Sequence, residues 1–135
     1  MENKIIIDAE NAVFGRLCSY AAKKALEGND VIIVNSEKII ITGNKENIIK
    51  TYRTKRARGG ASRRGPHYPK IPFMILKRGI RGMLPDYRWG EGKQAFSRIK
   101  CYEGIPKEFE KREKIKFEDL NKNKYIKLEE LSRKI

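Results

Sequence analysis

From Asn47 to Pro85 the chain carries eleven Lys or Arg residues and no Asp or Glu. That segment supplies +11 of a formal net charge of +14. Its densest part, Arg53 to Lys70, holds seven cations, three glycines and two prolines. Such a stretch repels itself, and Gly59-Gly60 and Gly65-Pro66 interrupt regular structure. It is not expected to be held by its own packing. The stabiliser it calls for is a polyanion, and the rest of the chain must fold into a scaffold that presents it.

The scaffold is legible in order. At 135 residues the chain is expected to form one domain, 1–135, with a basic insertion at about 53–71 and a C-terminal extension at about 107–135. Lys4 to Asp8 is a β-branched run of the kind found in strands covered on both faces. Phe14, Leu17, Cys18, Ala21 and Ala25 then follow helical spacing. Asn11 is the candidate N-cap, and Gly28 the candidate left-handed residue after the helix. Val31 to Val34 is a second buried-type strand, so the opening third reads as a βαβ unit.

Further on, Ile39 to Thr42 is a short strand candidate, and Asn44 a cap for a helix carrying Ile48, Ile49 and Tyr52. The chain is expected to leave the core after Tyr52 and return at Pro72, a good first helical residue. From there Phe73, Leu76 and Ile80 form an inward face, with Lys77, Arg78 and Arg81 on a separate stripe. A short helix with Ala95 and Phe96 leads into a last strand at Ile99 to Tyr102, and Gly104 and Pro106 close the core. The tail mixes acids and bases and reads as solvated surface, except that Leu128, Leu131 and Ile135 suggest a docked terminal helix. Trp89 is either a core plug or a stacking platform, with an edge position favoured.

Several chemistries lack their residues. His67 is the only histidine, and Cys18 and Cys101 the only cysteines. A nucleophilic Cys–His site needs an oriented third group, and a zinc site needs about four N/S ligands at local spacing. Both thiols are expected to be reduced and buried in a cytosolic protein. Asp8 and Glu10, near a strand end, could hold a divalent metal, but a loop-capping role is the expected one. The turn from Asp8 to Arg16 has one glycine where a dinucleotide fingerprint needs three, and Thr42 to Lys45 is a fragment of a phosphate loop. The N-terminal apolar run soon meets acid and is not expected to be a signal peptide. No apolar run approaches the ~20 residues of a membrane helix. No catalysis, metal, cofactor, membrane partner or small-molecule substrate is expected.

Nucleic acid fits instead. Arg53, Lys55, Arg56, Arg58, Arg63, Arg64 and Lys70 can neutralise phosphates and release counterions. The glycines allow close backbone approach, and His67 and Tyr68 offer planar faces to bases or sugars. Lys77, Arg78 and Arg81 extend the charge onto a helix.

Five runs resemble a known family. Asp8-Ala9 with Gly15-Arg16-Leu17 and Ser19 is similar to its opening motif. Val34 to Lys38 leading to Thr42-Gly43-Asn44 is similar to its second. Arg64-Gly65-Pro66 resembles its basic-loop signature, Arg81-Gly82-Met83-Leu84-Pro85 its most specific run, and Lys100 to Pro106 the strand and turn that follow. In order and at similar spacing, over about residues 4 to 106, they resemble the large-subunit ribosomal protein thirteen family of the archaeal and eukaryotic type. The resemblance implies an α/β fold, a three-layer α/β/α domain with a four-stranded, mostly parallel sheet (Rossmann-like, without a dinucleotide site) and a long basic loop. It also implies a structural, non-enzymatic constituent of the large subunit in the cytoplasmic ribosome. Its expected partners are large-subunit rRNA and neighbouring ribosomal proteins, and its expected role includes subunit assembly. The rival reading is a free-standing RNA-binding regulator.

Overall fold

The structure is a computed structural model that describes residues 4–57, 69–116 and 124–135. Strand β1 (Lys4–Asp8), helix α1 (Phe14–Leu26) and strand β2 (Asp30–Val34) form the expected βαβ unit. The two strands pair in parallel, with Ile5 opposite Val31 and Ile7 opposite Ile33. Their continuous apolar sequence has a two-sided cause. Ile7, Val31 and Ile33 face the helical core, while Ile6, Ile32 and Val34 face a smaller cluster with Phe109 and Tyr102. Side chains alternate between faces along a strand, so a run apolar at every position fits only a sheet covered twice.

Helix α1 buries Leu17, Cys18, Ala21, Ala22 and Ala25. Its end is closed by paired reverse hydrogen bonds: Gly28 N–H to the Ala25 carbonyl (3.1 Å) and Asn29 N–H to the Lys24 carbonyl (3.2 Å). Gly28 makes this turn at φ 102°, which disfavours any side chain. The helix start differs from expectation. Val13 is the N-cap residue and no side chain caps the helix. Asn11 instead takes the left-handed region, φ 59°, and donates its N–H to the Lys38 carbonyl (3.1 Å). It turns the chain so that the Ala12 carbonyl can accept from Ile40 N–H (2.9 Å), a use of asparagine's tolerance for that backbone region.

Strand β3 (Ile40–Thr42) forms as expected, but outside the main sheet. Helix α2 (Lys45–Ala57) follows, its first turn capped by Asn44 Oδ1, which accepts from Glu46 N–H (2.9 Å) and Asn47 N–H (3.4 Å). Ile48, Ile49 and Tyr52 pack against the core. The helix runs on past Tyr52 into the basic stretch, carrying Arg53, Lys55 and Arg56 to Ala57. No Gly or Pro intervenes before Gly59, and Lys, Arg and Ala are good helix formers.

Helix α3 (Pro72–Arg81) begins at Pro72 and buries Ile75, Leu76 and Ile80. It crosses α1 at Gly79, where a Cβ would lie 2.6 Å from Phe14 Cζ and 2.7 Å from Cε1. Gly79→Ala should therefore force the Phe14 ring or the helix aside, at a cost of about 1–3 kcal/mol in urea unfolding. Helix α4 (Gly90–Ser97) and strand β4 (Ile99–Cys101) complete the expected elements.

The tail does more than cover the surface. Strand β5 (Ile115–Lys116) pairs in parallel with β1, giving the four-stranded order β4-β2-β1-β5 with every pairing parallel. Strand β6 (Tyr125–Lys127) pairs antiparallel with β3, placing Ile126 opposite Ile41, and leads into helix α5 (Leu128–Lys134). Ile126, Leu128 and Leu131 are fully buried in the main core. The core is thus not closed at Gly104 and Pro106. The architecture is a three-layer α/β domain: α1, α3, α4 and α5 on one face of the sheet, and on the other a thinner layer made by the 3₁₀ turn Lys107–Phe109 with Tyr102.

Candidate nucleic-acid interface

Helix phase decides which basic side chains meet. On α2, Arg53 and Lys55 are two residues apart, about 200° around the axis. Lys55 lies with Arg78 and Arg81 of α3 around a groove of about 370 Å³, whose other walls include Phe14, Tyr52 and Pro69. A second depression of about 270 Å³ adjoins it, lined by Pro69, Met74, Lys77, Arg78, Arg81 and Phe96. Pro69, Arg78 and Arg81 belong to both. Four of the expected residues, Lys55, Lys77, Arg78 and Arg81, therefore share one continuous face where the chain re-enters the core.

Aromatic rings fix the posture of these cations. Lys55 Nζ sits 5.3 Å from the centre of the Tyr52 ring, and Lys77 Nζ 5.2 Å from that of Phe96. Arg81 stacks over Tyr87 at 4.5 Å, and Arg88 approaches the same ring at 5.7 Å. Tyr87 in turn meets Phe96 edge-on, 6.1 Å between centroids at 69°. The Tyr87 hydroxyl is held below its usual pKa, first by its hydrogen bond with Arg88 and then by the charges of Arg81 and Arg88. Cations stacked in this way keep their charge outward and lose less freedom when they meet a phosphate.

Arg53 goes elsewhere. Its Nε donates to the Lys134 carbonyl (2.7 Å), so it closes the end of α5, and it lines a separate depression with Lys50 and Lys134. The exit of the basic stretch is also tied to α5: Ser132 Oγ donates to the Lys70 carbonyl (2.7 Å), and Lys70 itself is exposed. Arg56 falls within α2. Arg58, Arg63, Arg64, His67 and Tyr68 lie outside the described residues. Tyr87 and Arg88 were not anticipated. The signal was present in Tyr87-Arg88-Trp89, an aromatic–basic alternation directly after Pro85, but it gains meaning only when Arg81 is seen to stack on it.

Of the acidic candidates, Asp8 has a structural role. Asp8 is buried, and its Oδ1 accepts from Glu10 N–H (3.0 Å) and Asn35 Nδ2 (3.0 Å), joining the loops that leave β1 and β2. Among the described residues no group of three or more His, Cys, Asp or Glu could hold a metal ion, and no helix is long and apolar enough to cross a membrane.

Cys18 and Cys101 are free thiols, Cys18 fully buried as expected and Cys101 only partly so. Burial pushes both up to about 12 from 9.0, with proximity to Cys101 adding to the rise at Cys18 and Lys77 opposing it at Cys101. Iodoacetamide at pH 8 should label them in urea and scarcely in the native protein. An unfolded chain loses these protons from about pH 9 and the folded one only near 12. The thiols' contribution to stability is therefore intact below 9 and falls as pH rises from 9 toward 12. A Cys18→Ala/Cys101→Ala variant should lose stability less steeply over that interval.

Known proteins match along nearly the whole chain. Residues 2–108 fit the family model described as Ribosomal protein L13. The large ribosomal subunit protein uL13 of Methanocaldococcus jannaschii is 48% identical over 131 residues, covering 95% of this chain and 94% of that protein. The proteins of the same name from Methanosarcina barkeri and Thermoplasma volcanium are 45% and 44% identical, each over 96% of both chains. At this coverage the alignments take in β5 and β6 of the tail as well as the five motif runs. The chain belongs to the ribosomal protein L13 family.

Proposed function

We propose that this chain binds large-subunit rRNA through the face formed by Lys55, Lys77, Arg78 and Arg81, together with the basic stretch that α2 and α3 flank, and that it thereby supports assembly of the subunit. Its family is one of ribosomal structural proteins, not enzymes, which places it in translation and in the cytoplasmic ribosome. The observation that carries the finer reading is the meeting of four cations from two helices around adjoining grooves, in a segment with no acid from Asn47 to Pro85.

The chemistry is charge screening. RNA helices packed side by side repel, and a basic segment seated between them lowers that repulsion while releasing counterions. Arg58, Arg63, Arg64, His67 and Tyr68 would extend the contact along the segment, and Arg56 and Lys70 would flank it. Arg53 would act indirectly, by fastening α2 to α5. The domain would work as one unit over 1–135, with neighbouring ribosomal proteins as further partners. Affinity would come chiefly from phosphates, and selection from RNA shape. A sucrose-gradient profile of cells making the tagged chain tests the reading: it should sediment with large subunits. Recovery only in soluble fractions would favour a free-standing RNA-binding regulator.

A further inference from the structure

Trp89 is the chain's single tryptophan, and at 66% it is the most exposed large apolar side chain among the described residues. It is therefore no core plug. The turn that carries it is nevertheless firmly held. Gly92 of α4 leaves no room for a Cβ because the carbonyls of Pro85 and Asp86 lie against it. Asp86 Oδ1 accepts the backbone N–H of Arg88 (3.0 Å), and the Trp89 carbonyl accepts from Lys93 N–H (3.4 Å). One residue before it, Arg88 stacks on Tyr87, whose ring also carries Arg81 and abuts Phe96. Among the described residues, no ring or cation stacks on the indole itself.

A held turn that offers a bare indole one residue after a stacked guanidinium has a definite chemical complement. The cations can hold phosphates, and the indole offers a flat face next to them. Paired bases in a helix have no free face to give it. An unpaired nucleotide has both a free base and an adjoining phosphate, and stacking a base on an aromatic side chain is worth about 5- to 150-fold in affinity. We propose that Trp89, next in the chain to the Arg81–Tyr87–Arg88 stack, is a platform for an unpaired RNA base, distinct from the phosphate contacts of the α2–α3 grooves. The inference deepens the RNA-binding reading above and rests on it. A protein partner is the disfavoured occupant, because docking it here would bury the positive charge of Arg81 and Arg88 along with the indole.

The single tryptophan makes the test direct, since intrinsic indole emission reports on Trp89 alone. The full chain is titrated with an oligoadenylate of about ten nucleotides, with an RNA duplex of the same strand length, and with inorganic polyphosphate. The oligoadenylate should quench the emission, and the duplex and polyphosphate should bind with little quenching. Trp89→Ala should weaken oligoadenylate binding about 5- to 150-fold and leave polyphosphate binding unchanged, and Trp89→Phe should recover part of the loss. Equal quenching by all three polyanions, or equal oligoadenylate affinity in Trp89→Ala and the parent, would overturn the proposal; capture of a protein by the parent but not by Trp89→Ala, without quenching by oligoadenylate, would assign the indole to that partner instead. The gradient separates the two readings. Trp89→Ala that sediments with large subunits while the oligoadenylate test fails sinks the platform alone. A parent chain that is quenched by oligoadenylate but never sediments with subunits sinks the ribosomal reading alone.

Discussion

Leu131→Ala is expected to destabilise the domain by about 2–5 kcal/mol, although Leu131 lies four residues before Ile135 in a tail whose mixed charge reads as solvated apart from its Leu128–Leu131–Ile135 stripe. Leu131 and Leu128 are fully buried among Ile39, Ile75 and Leu76 of the main core. Truncating either leaves a cavity that the surrounding helices and sheet can only partly close. Removing Tyr125 to Ile135 altogether should be more severe. It would take away β6, the pairing partner of β3, and expose Ile39 and Ile40, which are now buried. It would also release Arg53 from the end of α5. A domain of this kind has only about 5–15 kcal/mol of stability in total, so the truncated chain should be unfolded or nearly so by circular dichroism and urea titration. Tyr125→Ser, at an exposed position on β6, is the control and should cost little. A truncated chain with the parent's unfolding midpoint would mean that the tail merely covers a core complete without it.

The second large effect concerns binding. Replacing Lys55, Lys77, Arg78 and Arg81 together with Ala should lower affinity for large-subunit rRNA about 10²- to 10³-fold near 0.1 M salt, if each contacts one phosphate. The log–log salt dependence should become shallower by about 0.7–0.9 per lost contact. Net charge alone predicts some loss for any four cations, so the decisive comparison removes four elsewhere. Lys50, Lys111, Lys114 and Lys134 are suitable, because none lines the two grooves. That second variant should keep nearly the parental slope. Similar slopes for both variants would show that the grooves are no better placed than the rest of a basic surface. Circular dichroism controls for folding, since Lys77 and Arg81 also rest on Phe96 and Tyr87.

These expectations also mark what was legible in the sequence. Local signals read correctly: the two-faced apolar runs of β1 and β2, the stripe of α1, Gly28 after it, Asn44 before α2 and Pro72 at the head of α3. Each is set by residues within a turn or two of one another. Long-range pairing was not legible. Ile41 finds Ile126, and Ile7 finds Ile115, on partner strands of two or three residues, too short to carry a period. The role of Asn11 likewise depends on Lys38, far along the chain. For the interface, the sequence identified the charged residues but not their grouping. The helix was expected to run into the basic stretch, but without a fixed end nothing separated Arg53 from Lys55; with it running to Ala57, helical phase sends one to α5 and the other to α3. Tyr87 and Arg88 escaped notice because their partner, Arg81, lies across the bend between α3 and α4.

The central claim is that the Lys55–Lys77–Arg78–Arg81 face meets rRNA inside the subunit. Ultraviolet crosslinking of intact large subunits, followed by mapping of the peptides that carry RNA adducts, tests it most directly. The account predicts large-subunit rRNA adducts on peptides between Tyr52 and Trp89. Adducts confined to the tail from Tyr125 to Ile135, with none between Tyr52 and Trp89, would contradict it.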